Sequence, residues 1–221
     1  MLEVGGLTVT LHGITILRNV TLTVEPGRIV GLIGRNGAGK TTTLRAIMGL
    51  TPAASGRLAL GGEDLSALPP HLRARLGIGY VPEDRRLISA LSARENILVP
   101  AWAGGLADAE ARLDGVYTLM PELRELAARP AALLSGGQQK LVALARSFMY
   151  GSRVLLLDEP FEGVAPPLAR RLVRAVREFQ EHRPGLSVLV AESEVKWVRL
   201  LTDKIYSIER GTTAEVPAPT P

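Results

Sequence analysis

The sequence predicts an α/β fold with a mainly parallel core sheet, an antiparallel β part at the N-terminus and an inserted helical subdomain. Short apolar runs at residues 28–33 and 154–157 alternate with helical patterns at 40–50 and 167–181. Strands that are separated by helices form parallel sheets with both faces covered. This alternation predicts the parallel core.

Patterns near the two ends of the chain complete the predicted body. Residues 2–24 are rich in threonine and valine in alternating order, which is typical of half-buried antiparallel strands. Apolar runs at 187–191 and 205–208 predict the last strands of the core. Residues 212–221, TTAEVPAPTP, are polar and rich in proline, so we predict a flexible tail after a domain that spans 1–211.

The segment from about residue 91 to about residue 150 lacks strand patterns. Helical patterns dominate there, as in SARENIL, LADAEARLDGVYTLM and GGQQKLVALARSFMY. Apolar residues that recur at helical spacing predict amphipathic helices. We therefore predict a helical subdomain, about 91–150, inserted into the α/β body.

Composition excludes several classes of site and of partner. The 221 residues include no cysteine and three histidines, which excludes disulfides and thiolate metal sites and disfavours a histidine metal centre. No apolar run approaches the roughly 18 residues of a membrane span, so we expect a cytoplasmic chain that does not itself cross a membrane. Arginines are spread along the chain and aromatic residues make up 4%, so we expect no nucleic-acid partner despite a net charge of +4.

A glycine-rich segment at residues 34–41, GRNGAGKT, matches the phosphate-loop pattern G-x-x-x-x-G-K-[ST] between a predicted strand and a predicted helix. Such a loop turns successive backbone N–H groups and a helix N-terminus toward a polyphosphate. We expect Lys40 to reach the β- and γ-phosphates and the Thr41 hydroxyl to hold Mg²⁺. The predicted nucleotide contacts in this segment are Gly34, Arg35, Asn36, Gly37, Ala38, Gly39, Lys40, Thr41 and Thr42.

Two acidic residues follow the strand predicted at 154–157, in the sequence VLLLDEP. Asp158 and Glu159 emerge at the carboxyl end of this strand, next to the predicted phosphate loop. We expect Asp158 to bind Mg²⁺ through water and Glu159 to polarise the attacking water as general base. Kinases, GTPases and ATPases of the P-loop NTPase fold share these parts, but the guanine-binding pattern N-K-x-D is absent, which disfavours a GTPase.

A second glycine-containing helix start lies in LSGGQ, residues 134–138, where Ser135 is placed as N-cap. A single domain has no need for two anion-binding helix ends around one nucleotide. Together, GRNGAGKT, LSGGQQ and VLLLDEP in that order resemble the ATP-binding cassette (ABC) family over roughly residues 2–211.

The resemblance implies an ATPase that converts ATP and water to ADP and phosphate, coupled to transport. It implies two nucleotide domains paired head to tail, each ATP lying between the phosphate loop of one and the second helix start of the other. It also implies transmembrane permease subunits as partners and a peripheral location at the cytoplasmic face of the membrane. Four residues would contact the ATP of the partner domain: Ser135, Gly136, Gly137 and Gln138.

Two further segments indicate a branch of the family. GYVPEDRRL, residues 79–87, and FEGVAP, residues 161–166, are similar to ATPase subunits of importers for branched-chain amino acids and related amides such as urea. By this resemblance Glu83 approaches Mg²⁺ or the attacking water and, with the helical subdomain, senses the membrane subunit.

Two positions depart from the family pattern. Where the family presents an aromatic residue to adenine, the alignment places Leu11, with His12 beside it. Where the family has its switch histidine, counting back from Asp203 places Ser193, which can donate one hydrogen bond but carries no positive charge. We expect Glu192 and Glu194, on either side of Ser193, to be solvated or structural.

The sequence leaves two alternatives to an importer ATPase. One is a soluble cassette ATPase acting on nucleic acid or ribosomes, although such relatives commonly carry two cassettes or a long coiled-coil insertion. The other is an ATP-binding subunit with weak hydrolysis that relies on a sister subunit, for which Ser193 is the support. Neither the cargo nor the choice between a homodimer and a sister subunit follows from the sequence.

Overall fold

The computed structural model describes residues 1–202 and 204–217, and its strands form two sheets. An antiparallel sheet and a six-stranded, mainly parallel sheet lie side by side in the chain order that the sequence predicts. The strands of the described residues are β1 (Leu2–Leu11), β2 (Ile14–Val24), β3 (Ile29–Ile33), β4 (Ser55–Leu60), β5 (Glu63–Asp64), β6 (Ile78–Val81), β7 (Val154–Asp158), β8 (Ser187–Glu192), β9 (Ile205–Glu209) and β10 (Thr212–Val216).

The antiparallel sheet has the order β2-β1-β4-β5, and the core sheet has the order β10-β9-β3-β8-β7-β6. Strands β9, β3, β8, β7 and β6 run parallel to their neighbours, and β10 is antiparallel at the edge. The predicted α/β fold is confirmed.

Both faces of the core sheet are covered, so β7 and β8 are buried along their whole length. Successive side chains of a strand point to opposite faces. Accordingly, Leu155 and Leu157 join one hydrophobic core with the helices, whereas Leu156 joins a second core with α1 and the antiparallel sheet. Residues of the continuous apolar run VLLL therefore pack in two cores, one on each face of the sheet.

Helices cover the sheet and fill the segment between β6 and β7. α6 stacks Phe148 on Phe179 of α7, with ring centroids 3.8 Å apart. Removing such a buried ring costs about 3–5 kcal/mol of stability. The helices of the described residues are α1 (Lys40–Met48), α2 (Pro70–Arg75), α3 (Ala93–Gly104), α4 (Ala109–Leu119), α5 (Glu122–Leu126), a 3₁₀ turn (Ala131–Leu133), α6 (Gly136–Tyr150), α7 (Pro166–Glu181) and α8 (Val195–Arg199). None of them is long and apolar enough to span a membrane.

The flexible tail predicted at 212–221 is wrong for its first half. Residues 212–216 form β10, which pairs with β9 through a tight turn at Gly211. The Thr213 hydroxyl donates to the Thr21 carbonyl (2.8 Å) and accepts from the Thr21 N–H (2.9 Å), which ties β10 to the antiparallel sheet. The prolines that suggested a tail lie after the strand-forming sequence TTAEV, and residues 218–221 are outside the described part of the chain.

Three strands bring the predicted site residues to one edge of the core sheet. Ile33 at the end of β3 pairs with Glu192 of β8, and Asp158 at the end of β7 pairs with Ala191. Because these strands are parallel, the segments that follow them emerge side by side. The phosphate loop, Glu159 and Ser193 are therefore neighbours.

Candidate nucleotide-binding site

The phosphate loop is a compact turn that admits no side chain at its first glycine. A Cβ at Gly34 would lie 2.5 Å from the Ile208 carbonyl oxygen. The Gly34 N–H donates to the Glu192 carbonyl (3.2 Å), which fastens the loop to β8. Gly39, at φ 116°, precedes α1 and provides no side-chain cap. The first N–H groups of α1 are thus left for a ligand, as an anion site at a helix start requires.

Lys40 occupies the centre of this loop and is only 4% exposed. Its ammonium donates to the carbonyls of Gly34 (2.7 Å) and Arg35 (3.2 Å). The same nitrogen lies 2.9 Å from Glu159 Oε1 in a buried ion pair. The loop is therefore held closed around its lysine by groups of the chain itself.

Asp158 is buried at the end of β7 with two hydroxyl partners. Thr41 Oγ1 donates to Asp158 Oδ1 (3.1 Å), and the Tyr80 hydroxyl donates to Asp158 Oδ2 (3.2 Å). Burial raises the pKa of Asp158 to about 6, although both hydrogen bonds oppose the shift and the charges of Glu83 and Glu159 add to it. Burial, reinforced by Asp158, also raises the pKa of Tyr80. This environment favours a cation beside Asp158.

Glu159 has a left-handed backbone, at φ 46°, and a side chain with two partners. Its N–H donates to the Ala191 carbonyl (2.9 Å). Oε1 pairs with Lys40, and Oε2 accepts from the Ser193 hydroxyl (3.0 Å). A left-handed conformation is strained for a residue with a side chain and persists where its surroundings fix it. The structure therefore brings Lys40, Glu159 and Ser193 into one hydrogen-bonded chain.

The two acids beside Ser193 differ from each other. Glu192 is 1% exposed, and its Oε1 accepts from the Phe161 N–H (2.7 Å). Burial raises the pKa of Glu192 to about 7; the Phe161 bond and Lys140 oppose the shift, and Glu159 and Glu162 add to it. Glu194 is exposed and forms an ion pair with Lys196 on the surface. Glu192 thus has a buried position within the protein, whereas Glu194 is solvated.

An open cleft of about 370 Å³ adjoins the phosphate loop. Leu11 and Glu83 both line it, so the structure places these two predicted residues with the loop. Gly34, Arg35 and Ala38 belong to the loop but do not line the cleft. Ile16 of β2, which the sequence analysis missed, does line it. The cleft is lined by Leu11, Ile16, Asn36, Gly37, Gly39, Lys40, Thr41, Thr42, Glu83 and Glu159.

The second helix start is separate from this cleft. Ser135 Oγ accepts from the Gln138 N–H (3.3 Å), and the Gln138 side chain accepts from the Ser135 N–H (2.9 Å). Ser135 and Gly136 are exposed, and no residue of 135–138 lines the cleft. The structure does not bring these four predicted contacts to the phosphate loop of the same chain.

Two further polar residues near the site, half-buried Tyr80 and buried Lys140, were missed by the sequence analysis. Tyr80 reaches Asp158 because β6 is the neighbour of β7. Lys140 of α6 is 8% exposed, and its ammonium donates to the carbonyls of Glu159 (2.8 Å) and Glu162. A signal for Lys140 exists in the sequence, where the lysine interrupts the apolar side of QKLVALA.

Comparison with known proteins identifies the family. A model of the family described as "ABC transporter" matches residues 17–162. The chain belongs to the ABC transporter family. It is 36% identical over 203 residues to the high-affinity branched-chain amino acid transport ATP-binding protein BraG of Pseudomonas aeruginosa, covering 91% of this chain and 86% of BraG. It is 34% identical over 212 residues to the lipopolysaccharide export system ATP-binding protein LptB of Escherichia coli K12, covering 95% of this chain and 87% of LptB.

A solved structure of an ATP-binding subunit of an ABC transporter superposes with a TM-score of 0.85 at 28% identity, covering 98% of this chain and 89% of the other. Membership of the ABC transporter family confirms the resemblance drawn from the three motifs. The chain is the ATPase subunit of an ABC transporter, and its nucleotide is ATP.

Proposed function

We propose that this ABC ATPase drives an importer of branched-chain amino acids or related amides, from the cytoplasmic face of the membrane and beneath permease subunits. The observation that carries this proposal is the 36% identity to BraG over 91% of the chain. The segments GYVPEDRRL and FEGVAP support the same branch. A second candidate is lipopolysaccharide export, because LptB is 34% identical over 95% of the chain.

ATP would bind with its phosphates at the free N–H groups of α1 and its adenine near Leu11 and Ile16. Both apolar side chains line the cleft beside the loop, in the place of an aromatic platform. Apolar contact without ring stacking loses the specific attraction between aromatic faces, which is worth about 0.5–1.5 kcal/mol. Adenine binding should therefore be weaker than with an aromatic residue at position 11.

Hydrolysis would begin with an exchange of partners at Lys40. In the structure the ammonium pairs with Glu159 Oε1 and with two loop carbonyls. Arriving β- and γ-phosphates offer the lysine stronger, charged acceptors, so it would turn to them and release Oε1. The freed carboxylate would accept a proton from the attacking water, while Ser193 still holds Oε2 in place.

The site has the ligands that Mg²⁺ prefers. Thr41 Oγ1 and Asp158 Oδ1 lie 3.1 Å apart, and both are hard oxygen donors. The raised pKa of Asp158 indicates a buried carboxylate that a cation would stabilise. We infer that Thr41 and Asp158 hold Mg²⁺, with Glu83 at the edge of the same cleft. The bound metal would neutralise the charge of the phosphates during transfer.

Residues 135–138, of which Ser135 and Gly136 are exposed, would meet the ATP of a second ATPase subunit. They lie outside the cleft of their own chain, at the N-terminal end of α6. A helix start is suited to bind an anion. We infer a head-to-tail pair, with either a second copy or a sister subunit, in which each ATP touches both chains.

A permease segment would dock in an apolar groove of about 350 Å³ between the α/β body and the helical subdomain. Its walls include Leu50, Tyr80, Pro100 and Tyr150, and Leu50 is 41% exposed. Arg146, also in the wall, donates to the Arg86 carbonyl (2.8 Å) and to the Arg85 carbonyl. Arg85 and Arg86 follow Glu83 in the chain, and Glu83 lines the cleft. This segment would therefore connect the groove to the cleft.

The test is transport by the assembled complex. The chain would be purified from membranes with its permease subunits, reconstituted in vesicles and supplied with ATP. We expect ATP-dependent uptake of radiolabelled leucine, isoleucine, valine or urea, and loss of that uptake with Glu159→Gln. Copurification with lipopolysaccharide, together with no uptake of these solutes, would overturn import in favour of export.

A further inference from the structure

Lys140 is a buried lysine, 8% exposed, that does not line the cleft. It lies on α6, five residues after Ser135, and its ammonium reaches the turn that follows β7. Its ammonium donates to the carbonyls of Glu159 (2.8 Å) and Glu162. These are backbone contacts, and the Glu159 carboxylate itself is held elsewhere, by Lys40 and Ser193.

The turn at residues 159–162 is fixed from two sides. Lys140 holds its first and last carbonyls, and Glu192 Oε1 accepts from the Phe161 N–H (2.7 Å). Glu159 begins this turn in a left-handed conformation, at φ 46°. Such a conformation is strained for a residue with a side chain and persists where neighbouring groups fix it. Lys140 and Glu192 supply that constraint.

A buried ammonium at position 140 would destabilise the protein if it did not bond to the turn at residues 159–162. Burial lowers the pKa of Lys140, and the carboxylates of Glu192, Glu162 and Glu159 oppose the shift. An apolar side chain would fit the flank of α6, where Leu141, Ala143 and Leu144 are buried. The ammonium is the group that can bind two carbonyls at once from this distance.

We propose that Lys140 is a positioning residue for ATP hydrolysis: by clamping the turn 159–162 it aims the Glu159 carboxylate at the γ-phosphate site. The inference rests on the proposed role of Glu159 as general base. Lys140 acts through Glu159 and does not contact nucleotide. Because the same helix begins at residues 135–138, the clamp also fixes Glu159 relative to the surface that meets the partner subunit.

The experiment compares Lys140→Met with Lys204→Met in the full chain. Methionine keeps most of the length of the side chain and removes its donors. Lys204 is a partly exposed lysine that is paired with Glu25 and does not line the cleft. We expect Lys140→Met to lower kcat by about 10- to 100-fold, the effect of a misplaced catalytic group. The KM for ATP and the melting shift caused by ATP should stay within about threefold, because the phosphate loop is unchanged. Lys204→Met should match the unmodified chain.

Two further variants separate positioning from simple stability. Lys140→Gln keeps a shorter donor and should recover part of kcat; it also carries the comparison if Lys140→Met does not fold. In a Glu159→Gln background, Lys140→Met should add no further loss, because the group through which it acts is already disabled.

Three results would overturn the positioning role. They are an unchanged kcat in Lys140→Met, a loss of ATP affinity as large as the loss of kcat, or a full additional loss in the double variant. If Glu159→Gln alone kept normal turnover, the proposed general base would fail, and the positioning role with it. That outcome is distinct because it appears in the single Glu159 variant.

Discussion

The molecule contains two glycine-rich helix starts, and they are built in opposite ways. At α1, Gly39 provides no side-chain cap, and the loop encloses a buried lysine beside Asp158 and Glu159. At α6, Ser135 and Gln138 cap the helix reciprocally and the surface around them is exposed. The first start is thus complete within one chain and leaves its donors free. The second start has its own cap and an exposed surface, and under the proposed head-to-tail pairing it would meet the ATP of another subunit.

The largest expected effect is a loss of turnover, and it comes from a substitution beside the enclosed helix start of α1. Glu159→Gln keeps the shape of the side chain and removes its basicity, so turnover should fall by about 10² to 10⁴-fold. ATP binding should persist, and trapped ATP should hold two chains together across the exposed start. Steady-state hydrolysis and light scattering with saturating ATP measure the two effects. A purely monomeric Glu159→Gln chain under those conditions would break the head-to-tail model for this chain alone.

A paired substitution tests whether the two starts belong to different nucleotides. Saturation with ATP at about 100 times its dissociation constant should stabilise the chain by roughly 2.7 kcal/mol, seen as a melting shift of about 5 to 10 °C. Lys40→Ala should abolish most of this shift. Gly136→Asp, which adds a negative charge at an exposed position of the other start, should keep the shift and lose turnover.

Mixing the two inactive variants extends that test. In a mixed head-to-tail dimer both defects fall on one ATP site and the other site is intact. Roughly a quarter of normal turnover should therefore return at equal amounts of the two chains, if subunits exchange at random. No recovery on mixing would contradict composite sites formed by two copies of this chain.

A substitution at Ser193, which stands where the family has a histidine, should have a smaller effect on the hydrolysis rate. The hydroxyl holds Glu159 Oε2 but carries no charge for the γ-phosphate. A hydrogen bond from a charged group contributes about 1.5–3 kcal/mol, so Ser193→His should raise the hydrolysis rate by about ten- to a hundredfold with little change in ATP affinity. Single-turnover hydrolysis measures the rate. Brisk turnover by the unmodified chain would show that Ser193 suffices.

The smallest effect is a pH dependence of stability confined to the enclosed region. The pKa of Glu192 is about 7 in the folded chain and 4.5 as its ordinary value. The folded carboxyl thus keeps a proton that the unfolded one loses, so its stabilisation is full below the ordinary value and is lost as pH rises through about 7. The charged groups that face Glu192 are Lys140, Glu159 and Glu162.

We expect the melting temperature of the nucleotide-free chain to fall by several degrees between about pH 5 and about pH 8, on the scale of about 2 kcal/mol. Glu192→Gln should reduce this slope, because glutamine still accepts from Phe161 and does not titrate. The remaining slope belongs to Asp158, whose pKa burial also raises, to about 6. Glu194→Gln, at the exposed neighbour, should leave the slope unchanged. If the melting temperature had the same pH dependence in the unmodified chain, Glu192→Gln and Glu194→Gln, the dependence would belong to other groups.

The parts of the site that lie in one stretch of chain could be predicted from the sequence. GRNGAGKT and VLLLDEP each combine a strand end with candidate site residues, so chain neighbours are also spatial neighbours. The contacts of Tyr80 and Lys140 could not be predicted, because each reaches the site from an element brought there by sheet order or helix packing. For Lys140 the sequence signals burial on the apolar side of α6 but not the turn that it contacts. Residues 212–216 were misread because composition averaged over ten residues concealed a short alternating strand.

The ion pair between Lys40 and Glu159 should give the phosphate loop a preference among anions. With its ammonium already neutralised and bonded to two carbonyls, the loop presents little net positive charge to a small anion. Inorganic phosphate or sulfate would have to displace three partners with one charged group, in a place where separating buried charges is costly. A triphosphate brings several charged oxygens along the whole loop. We therefore expect inorganic phosphate and sulfate to bind this loop weakly, and the length of the phosphate chain to decide which anions bind.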